Sequence, residues 1–211
     1  MSREALLARL DVSRETSARL DALVAVLEKW SRTLNLVGKG TLAEVWTRHV
    51  EDSAQLWPLA PASARSWIDL GSGAGFPGLV IAALAADERP DLHVTLVESD
   101  TRKAAFLGAA AREMGVSVTI RDVRIEALEA PPADVVSARA LASLDRLLDY
   151  AAPLLAPGGV CLFPKGAGHA SELTEARRRW QCRVVAHPSR TDPAAVVLEI
   201  QELARAAAPD R

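Results

Sequence analysis

The segment Asp69-Leu-Gly-Ser-Gly-Ala-Gly-Phe-Pro-Gly78 constrains this chain more than any other. Trp67 to Leu70 is a short apolar run, as expected of a buried strand, and Leu79 to Ala86 reads as a helix. The glycines between them therefore form a strand-to-helix turn in an α/β unit. Gly71, Gly73 and Gly75 bend the chain without Cβ atoms, so a ligand can lie against bare backbone. Asp69 leads into the bend, placed to accept hydrogen bonds from a cationic or hydroxyl-bearing ligand.

The glycine spacing separates two cofactor classes. A dinucleotide fingerprint needs G-x-G-x-x-G. Here Phe76 stands where its third glycine belongs, and the third glycine comes one residue early. D-x-G-x-G-x-G is the pattern of S-adenosylmethionine (SAM) methyltransferases. SAM has no pyrophosphate and needs no anion-binding helix start. The competing reading is a turn that serves close packing alone. His93 to Val97 reads as the next strand and ends in Glu98. An acidic residue there is where α/β nucleotide sites grip ribose hydroxyls. Glu98 as a cap for a helix starting near Asp100 is the alternative; after a SAM-type turn, ribose binding is favoured.

The rest of the chain supports an α/β fold. Strands are expected at 66–70, 93–98, 116–121, 134–138, 159–163, 182–187 and 195–201, and helices at 77–87, 101–114, 143–152 and 169–180. Such alternation predicts a parallel sheet covered on both faces. The last two strands have only a loop, Pro188 to Pro193, between them, so they should pair as a hairpin with one strand antiparallel to the rest. The fold class is thus a Rossmann-like, class I SAM-dependent methyltransferase sheet, mostly parallel with a terminal antiparallel strand, preceded by a helical segment. Residues 1–62 are expected to be an N-terminal helical extension packed on the core, 63–203 the SAM-binding core and 204–211 a tail. In the extension Ser13 is a candidate N-cap for a helix with Leu20, Leu23, Val24, Leu27, Trp30 and Leu34 on one face, broken by Gly38 and Gly40. Thr41 and Glu44 suggest a capping box for the next helix.

Composition narrows the partners. A net charge of −2 means that any nucleic-acid contact must come from a local patch. No segment reaches the ~20 apolar residues of a membrane span, and no signal peptide is visible. Cys161 and Cys182 have neither metal-type spacing nor a disulfide framework and read as packing residues in a reducing compartment. A cytoplasmic monomer without metal or membrane contact is expected.

In an open α/β sheet the site lies beyond the carboxyl ends of the strands. After the third strand, Ile125 can pack on an adenine face and Asp122 or a nearby N–H can bond its edge; a surface helix start is the alternative. The fourth strand ends in Ser137-Ala-Arg139-Ala. Neither an Asn-Pro-Pro-Tyr motif nor a Pro-Cys nucleophile stands there. The guanidinium of Arg139 cannot act as a base, but it binds phosphate, carboxylate or the acceptor edge of guanine, unless it is a rim ion pair. Lys165, ending the fifth strand, adds a second cation or is an ordinary solvated lysine. Arg48 and Asp52 stand at i,i+4 spacing, and His49 on a partly apolar face reads as a satisfied core histidine rather than a catalyst. A nucleic-acid substrate requires a cationic mouth joining Arg139 and Lys165 with Lys39 or Arg48. The Arg177-Arg178-Arg179 run reads as a solvated face.

Taken in order, Trp30 with Asn35-Leu36, Arg48-His-Val-Glu-Asp-Ser53, the glycine turn, Arg102-Lys103 with Phe106-Leu107, Arg124 with Glu126, Ser137-Ala-Arg-Ala140 and Lys165-Gly166 carry a resemblance over nearly the whole length. The chain resembles the small-subunit (16S) rRNA guanine-N7 methyltransferases, the family also called glucose-inhibited division protein B. The resemblance implies SAM as cofactor and 16S rRNA or the small ribosomal subunit as partner. It implies cofactor contacts at Gly71, Phe76, Ile125, Glu126 and Arg139, with Glu98 on the ribose. The family's frequent Arg-Ala-Phe-Ala reads Arg139-Ala-Leu-Ala142 here, which leaves no aromatic ring at Leu141 to stack on a base. A SAM enzyme with a small-molecule acceptor and a non-catalytic SAM-binding scaffold are the alternatives.

Overall fold

The computed structural model describes residues 3–38 and 40–206. Lys39 and residues 207–211, most of the expected tail, lie outside the described residues. Helices α1 (Arg3–Leu10) and α2 (Arg14–Trp30) precede a tightly wound stretch, Leu42–Glu44, a π-helical turn, Trp46–Glu51, and a single α-turn, α3 (Asp52–Ala54). Then β1 (Ser66–Leu70), α4 (Gly78–Glu88), β2 (His93–Glu98), α5 (Thr101–Met114), β3 (Thr119–Asp122), β4 (Ala133–Ala138), α6 (Leu144–Ala151), β5 (Leu155–Lys165), α7 (His169–Ala176), β6 (Trp180–Pro188) and β7 (Val196–Arg205) follow.

The sheet order is β3-β2-β1-β4-β5-β7-β6. β1 to β5 pair in parallel, whereas β7 runs antiparallel between β5 and β6. The order reverses between β1 and β4, which puts a crevice at their carboxyl ends, the usual ligand position of such sheets. Alternate residues serve opposite faces. Trp67, Val135, Leu162 and Val197 join the core under α1, α2, α4 and α5. Ile68, Val136, Phe163 and Leu198 join the core under α6. Every residue of α4 from Gly78 to Ala85 is buried, because α2 and α3 cover the side turned away from the sheet. Leu20, Leu23 and Leu27 of α2 are fully buried in that same core, each worth about 1.5–3 kcal/mol relative to exposure.

Local chemistry explains where elements differ from expectation. Ser13 Oγ accepts from the Thr16 N–H at 2.9 Å, as an N-cap does. Helix α2 stops at Trp30, not at Gly38. The Trp30 carbonyl accepts from the N–H groups of Thr33 and Leu34 and from the Thr33 hydroxyl, so the last turn tightens and closes. The capping box does not form. Thr41 Oγ1 donates to the Gly38 carbonyl, and Glu44 is taken by Arg48. β3 begins three residues late, since the Val116 N–H is spent on Ala111 at the end of α5. α7 ends at Ala176, so the three arginines occupy the turn beyond it; Arg178 pairs with Glu175, and Arg179 with Asp145 and Asp149. β7 reaches Arg205, so Ala204 and Arg205 of the expected tail pair with β6.

Candidate active site

The glycine turn is built by backbone geometry. Gly71, Gly73 and Gly75 have φ of 65°, 52° and 83°, the left-handed region that costs other residues about 1–2 kcal/mol. The Ser72 N–H donates to the Val97 carbonyl, and the Gly75 N–H to the Ser72 carbonyl. A Cβ at Gly75 would stand 2.4 Å from Leu79 Cδ1, and one at Gly78 2.2 Å from Leu96 Cδ2, so these two glycines serve packing. At Gly73 a Cβ would meet nothing nearer than the Gly71 carbonyl oxygen at 3.7 Å. Gly73 therefore offers bare backbone to open space, a cradle that a side chain would fill. Glu98 lies beside it: Oε2 accepts from the Gly73 N–H at 2.9 Å and Oε1 from the Asp100 N–H at 2.8 Å. A carboxylate has about four acceptor positions, so two remain for ribose hydroxyls. Capping of α5 falls to Asp100, which accepts from Arg102 and Lys103. The residues at this rim fit a nucleoside.

Asp69 does not face a ligand. It is fully buried; Oδ1 accepts from Ser137 Oγ at 2.7 Å and Oδ2 from the Gly78 N–H at 3.1 Å. Trp67 Nε1 donates to the same Ser137 hydroxyl. Burial raises the Asp69 carboxyl to about 6, against the opposing pull of its hydrogen bonds. Asp69 thus ties β1 to β4 and to the start of α4. The Phe76 ring is likewise buried, stacked on the His49 imidazole at 5.1 Å with Arg139 Cζ at 5.3 Å from its centroid. Gly71 is covered by Leu141, whose Cδ1 lies 2.7 Å from where a Cβ would be. Glu126 turns away to Tyr150 Oη and Arg146, which leaves its backbone for any cofactor contact. With the half-buried Ile125 it lines a separate cleft of about 610 Å³.

A larger open cleft of about 960 Å³ lies beside the carboxyl ends of β4 and β5, with Arg48, Asp52, Arg139, Lys165 and Thr191 in its walls. Its cations are not free. Arg139, mostly buried, donates through Nη1 to the Arg48 carbonyl at 3.0 Å and to Asp52 Oδ2 at 3.1 Å. Its Nη2 donates to His49 Nδ1 at 3.0 Å. These contacts occupy three of the five guanidinium N–H groups. Among the described residues nothing takes the Nε–H or the second Nη2–H. Lys165 Nζ bonds Glu172 at 2.5 Å and the Ala142 carbonyl at 3.0 Å, so it is neither solvated nor a free cation. Arg48 Nε pairs with Glu44 at 2.6 Å, not with Asp52. The expected cationic mouth is therefore a set of ion pairs, and Lys39 lies outside the described residues.

His49 is satisfied, as its apolar neighbours suggest, but it stands half-buried in the cleft wall and not in the core. Burial, then the nearby Arg139 and Arg48 charges, lower it to about 4, so it is neutral near pH 7. Nδ1 must accept from Arg139, which puts the proton on Nε2, donated to Thr41 Oγ1 at 3.0 Å. Ala140, with a left-handed φ of 51°, turns the chain so that Arg139 enters this cluster while Leu141 folds over Gly71. Arg139 thus lines the cleft and also lies over Phe76 of the glycine turn. No sequence signal marked Glu172 as the partner of Lys165, or Gln55 and Thr191 as partners of Asp52; Asp52 itself was visible only within the Arg48–Ser53 stretch.

The family described as GidB, rRNA small subunit methyltransferase G, matches residues 16–193. The chain is 53% identical to a ribosomal RNA small subunit methyltransferase G of Cereibacter sphaeroides, over 97% of this chain and 99% of that protein. It is 55% identical to one of Rhodospirillum centenum, over 93% and 89%. The fold is similar to that of a TehB-like SAM-dependent methyltransferase of Corynebacterium glutamicum, with a TM-score of 0.57 at 16% identity, over 83% of this chain and 97% of that one.

Proposed function

The chain belongs to the GidB family, rRNA small subunit methyltransferase G, and on that premise we propose that it transfers a methyl group from SAM to N7 of a guanine in small-subunit (16S) rRNA. The observation that carries this reading is Arg139, which joins the glycine turn to an open cleft large enough for a nucleotide. SAM, when bound, supplies an activated methyl group on a sulfonium. Gly73 gives it bare backbone, and Glu98 accepts from its ribose. The Nε–H and free Nη2–H of Arg139 hold a carboxylate, a phosphate or the guanine edge.

No residue has to remove a proton. Guanine N7 carries an in-plane lone pair; it forms the new N–C bond as the C–S bond breaks, and the positive charge passes from sulfur to base. The residues near the reacting end are consistent with this. Both His49 nitrogens are engaged, and Asp69 is sealed from the cleft. Rate enhancement then comes from alignment, which is worth up to about 7–11 kcal/mol in well-oriented reactions.

The test is transfer of labelled methyl from SAM to small-subunit rRNA lacking its own methyl group, with mapping of the product base and a parallel assay on free guanosine. Label at one guanine N7 is expected, with binding that weakens as salt rises. Equal activity on free guanosine would establish the small-molecule reading, and SAM binding without turnover on naked rRNA or on small subunits would establish the scaffold.

A further inference from the structure

We propose that Asp52 is a positioning residue for methyl transfer, setting Arg139 through one oxygen and the β6–β7 loop, which lines the same cleft, through the other. The proposal rests on the reading that Arg139 works at the reacting end.

Asp52 Oδ2 accepts from Arg139 Nη1 at 3.1 Å. Asp52 Oδ1 accepts from Thr191 Oγ1 and from Gln55 Nε2, each at 2.9 Å. Gln55 extends the second arm, since its Oε1 accepts from the Arg190 N–H at 3.0 Å. One carboxylate therefore joins β4, the helical segment and a loop far away in sequence. The geometry depends on the π-helical turn Trp46–Glu51. With the first residue of α3 it presents the Arg48 carbonyl, His49 Nδ1 and Asp52 Oδ2 to a single guanidinium. Three acceptors fix the plane of that guanidinium and leave its remaining N–H groups facing a defined direction. Of the three, only Asp52 also holds the loop, and only Asp52 carries the opposite charge.

Asp52→Asn separates the arms. Its oxygen can still accept from Thr191 and Gln55, but its amide presents N–H to the N–H of Arg139. Single-turnover methylation of rRNA is expected to slow roughly a hundredfold, the cost of misplacing a positioned group by about 1 Å. Asp52→Glu, which keeps the charge, should restore part of that rate. Because Asp52 acts through Arg139, Asp52→Asn combined with Arg139→Ala should be no slower than Arg139→Ala alone. Thr191→Val cuts only the loop arm and should raise KM for rRNA by a larger factor than it lowers kcat.

A merely structural Asp52 would lower the melting temperature and the folded fraction while rate per folded enzyme stayed constant. That result, or an additive double variant, overturns the positioning role. If Thr191→Val leaves KM unchanged, the loop arm is overturned, and this variant stands as a test even if Asp52→Asn fails to fold. If Arg139→Ala itself methylates at the wild-type rate, the reading of Arg139 fails and this proposal falls with it. If Arg139→Ala is slow but Asp52→Asn is not, only this proposal falls.

Discussion

The glycine turn and the open cleft meet at Arg139 but are built on different principles. The turn takes its shape from three left-handed glycines, and Asp69 braces it through Gly78 nine residues on and through Ser137 on the neighbouring strand. The cleft is assembled from ion pairs, Arg139 with Asp52 of a distant segment and Lys165 with Glu172 on the following helix. Substitutions in the turn should therefore act through sterics, and substitutions in the cleft through charge and alignment.

The largest effect is expected within the turn, where two nearby glycines should fail differently. Gly73→Val places a side chain in the open space that the proposed function assigns to SAM. SAM affinity by calorimetry should fall by roughly a hundredfold or more, while stability drops only by the left-handed strain of about 1–2 kcal/mol. Gly78→Ala should do the reverse, because its Cβ would sit 2.2 Å from Leu96 Cδ2 and 2.8 Å from Asp69 Oδ2. Overpacking of this kind costs about 1–3 kcal/mol, read as an earlier urea midpoint. Equal loss of binding and stability in both variants would erase the distinction.

In the cleft, Arg139→Ala should cut single-turnover methylation on the order of a hundredfold, with a smaller effect on melting. Arg139→Lys should recover only part, since lysine keeps the charge and loses the planar fork. A smaller and opposite pattern is expected at Lys165. Lys165→Met leaves Glu172 without its cation, and Glu172 still accepts from the Leu144 N–H at 2.7 Å. The cost should be about 1–3 kcal/mol of stability, with a rate loss well below that of Arg139→Ala. If Lys165→Met is the slower of the two, Lys165 and not Arg139 positions the acceptor.

The same contrast explains what the sequence made legible. Strand-to-helix spacing, the near-continuous burial of β1 and β4 and the glycine pattern are written in neighbouring residues, so the parallel core and the turn can be read directly. The partners in the cleft are not. Asp52 reads as an i,i+4 partner of Arg48, because helical spacing is the only distance a sequence offers. The π-helical turn and the arrival of β4 give it Arg139 instead. Asp69 illustrates a second limit: its place in the motif is visible, but its direction is set by Ser137, sixty-eight residues away. Glu126 shows the same limit, since its carboxylate is taken by Tyr150 on α6, twenty-four residues on.

The smallest effects should appear in the dependence of stability on pH, where each half leaves its own sign. Asp69 titrates near 6 in the folded chain, above its ordinary value of 3.8. Its contribution is fully present below 3.8 and is lost as pH rises through about 6. His49 titrates near 4, below its ordinary 6.5. Its contribution is fully present above 6.5 and is lost as pH falls through about 4. Between those limits the two oppose each other, so wild-type stability hides both. Asp69→Asn can accept from Gly78 with its oxygen and donate to Ser137 Oγ with its amide, which removes the titration while keeping the ties. Measured by urea unfolding, its stability relative to wild type should rise between pH 4 and 6. For His49→Gln the same difference should fall as pH rises. The histidine effect is the weaker, because its ring is partly exposed and solvent screens the Arg139 and Arg48 charges. Slopes of the same sign in the two variants would mean that turn and cleft share one titrating unit, and the separation between them would fail.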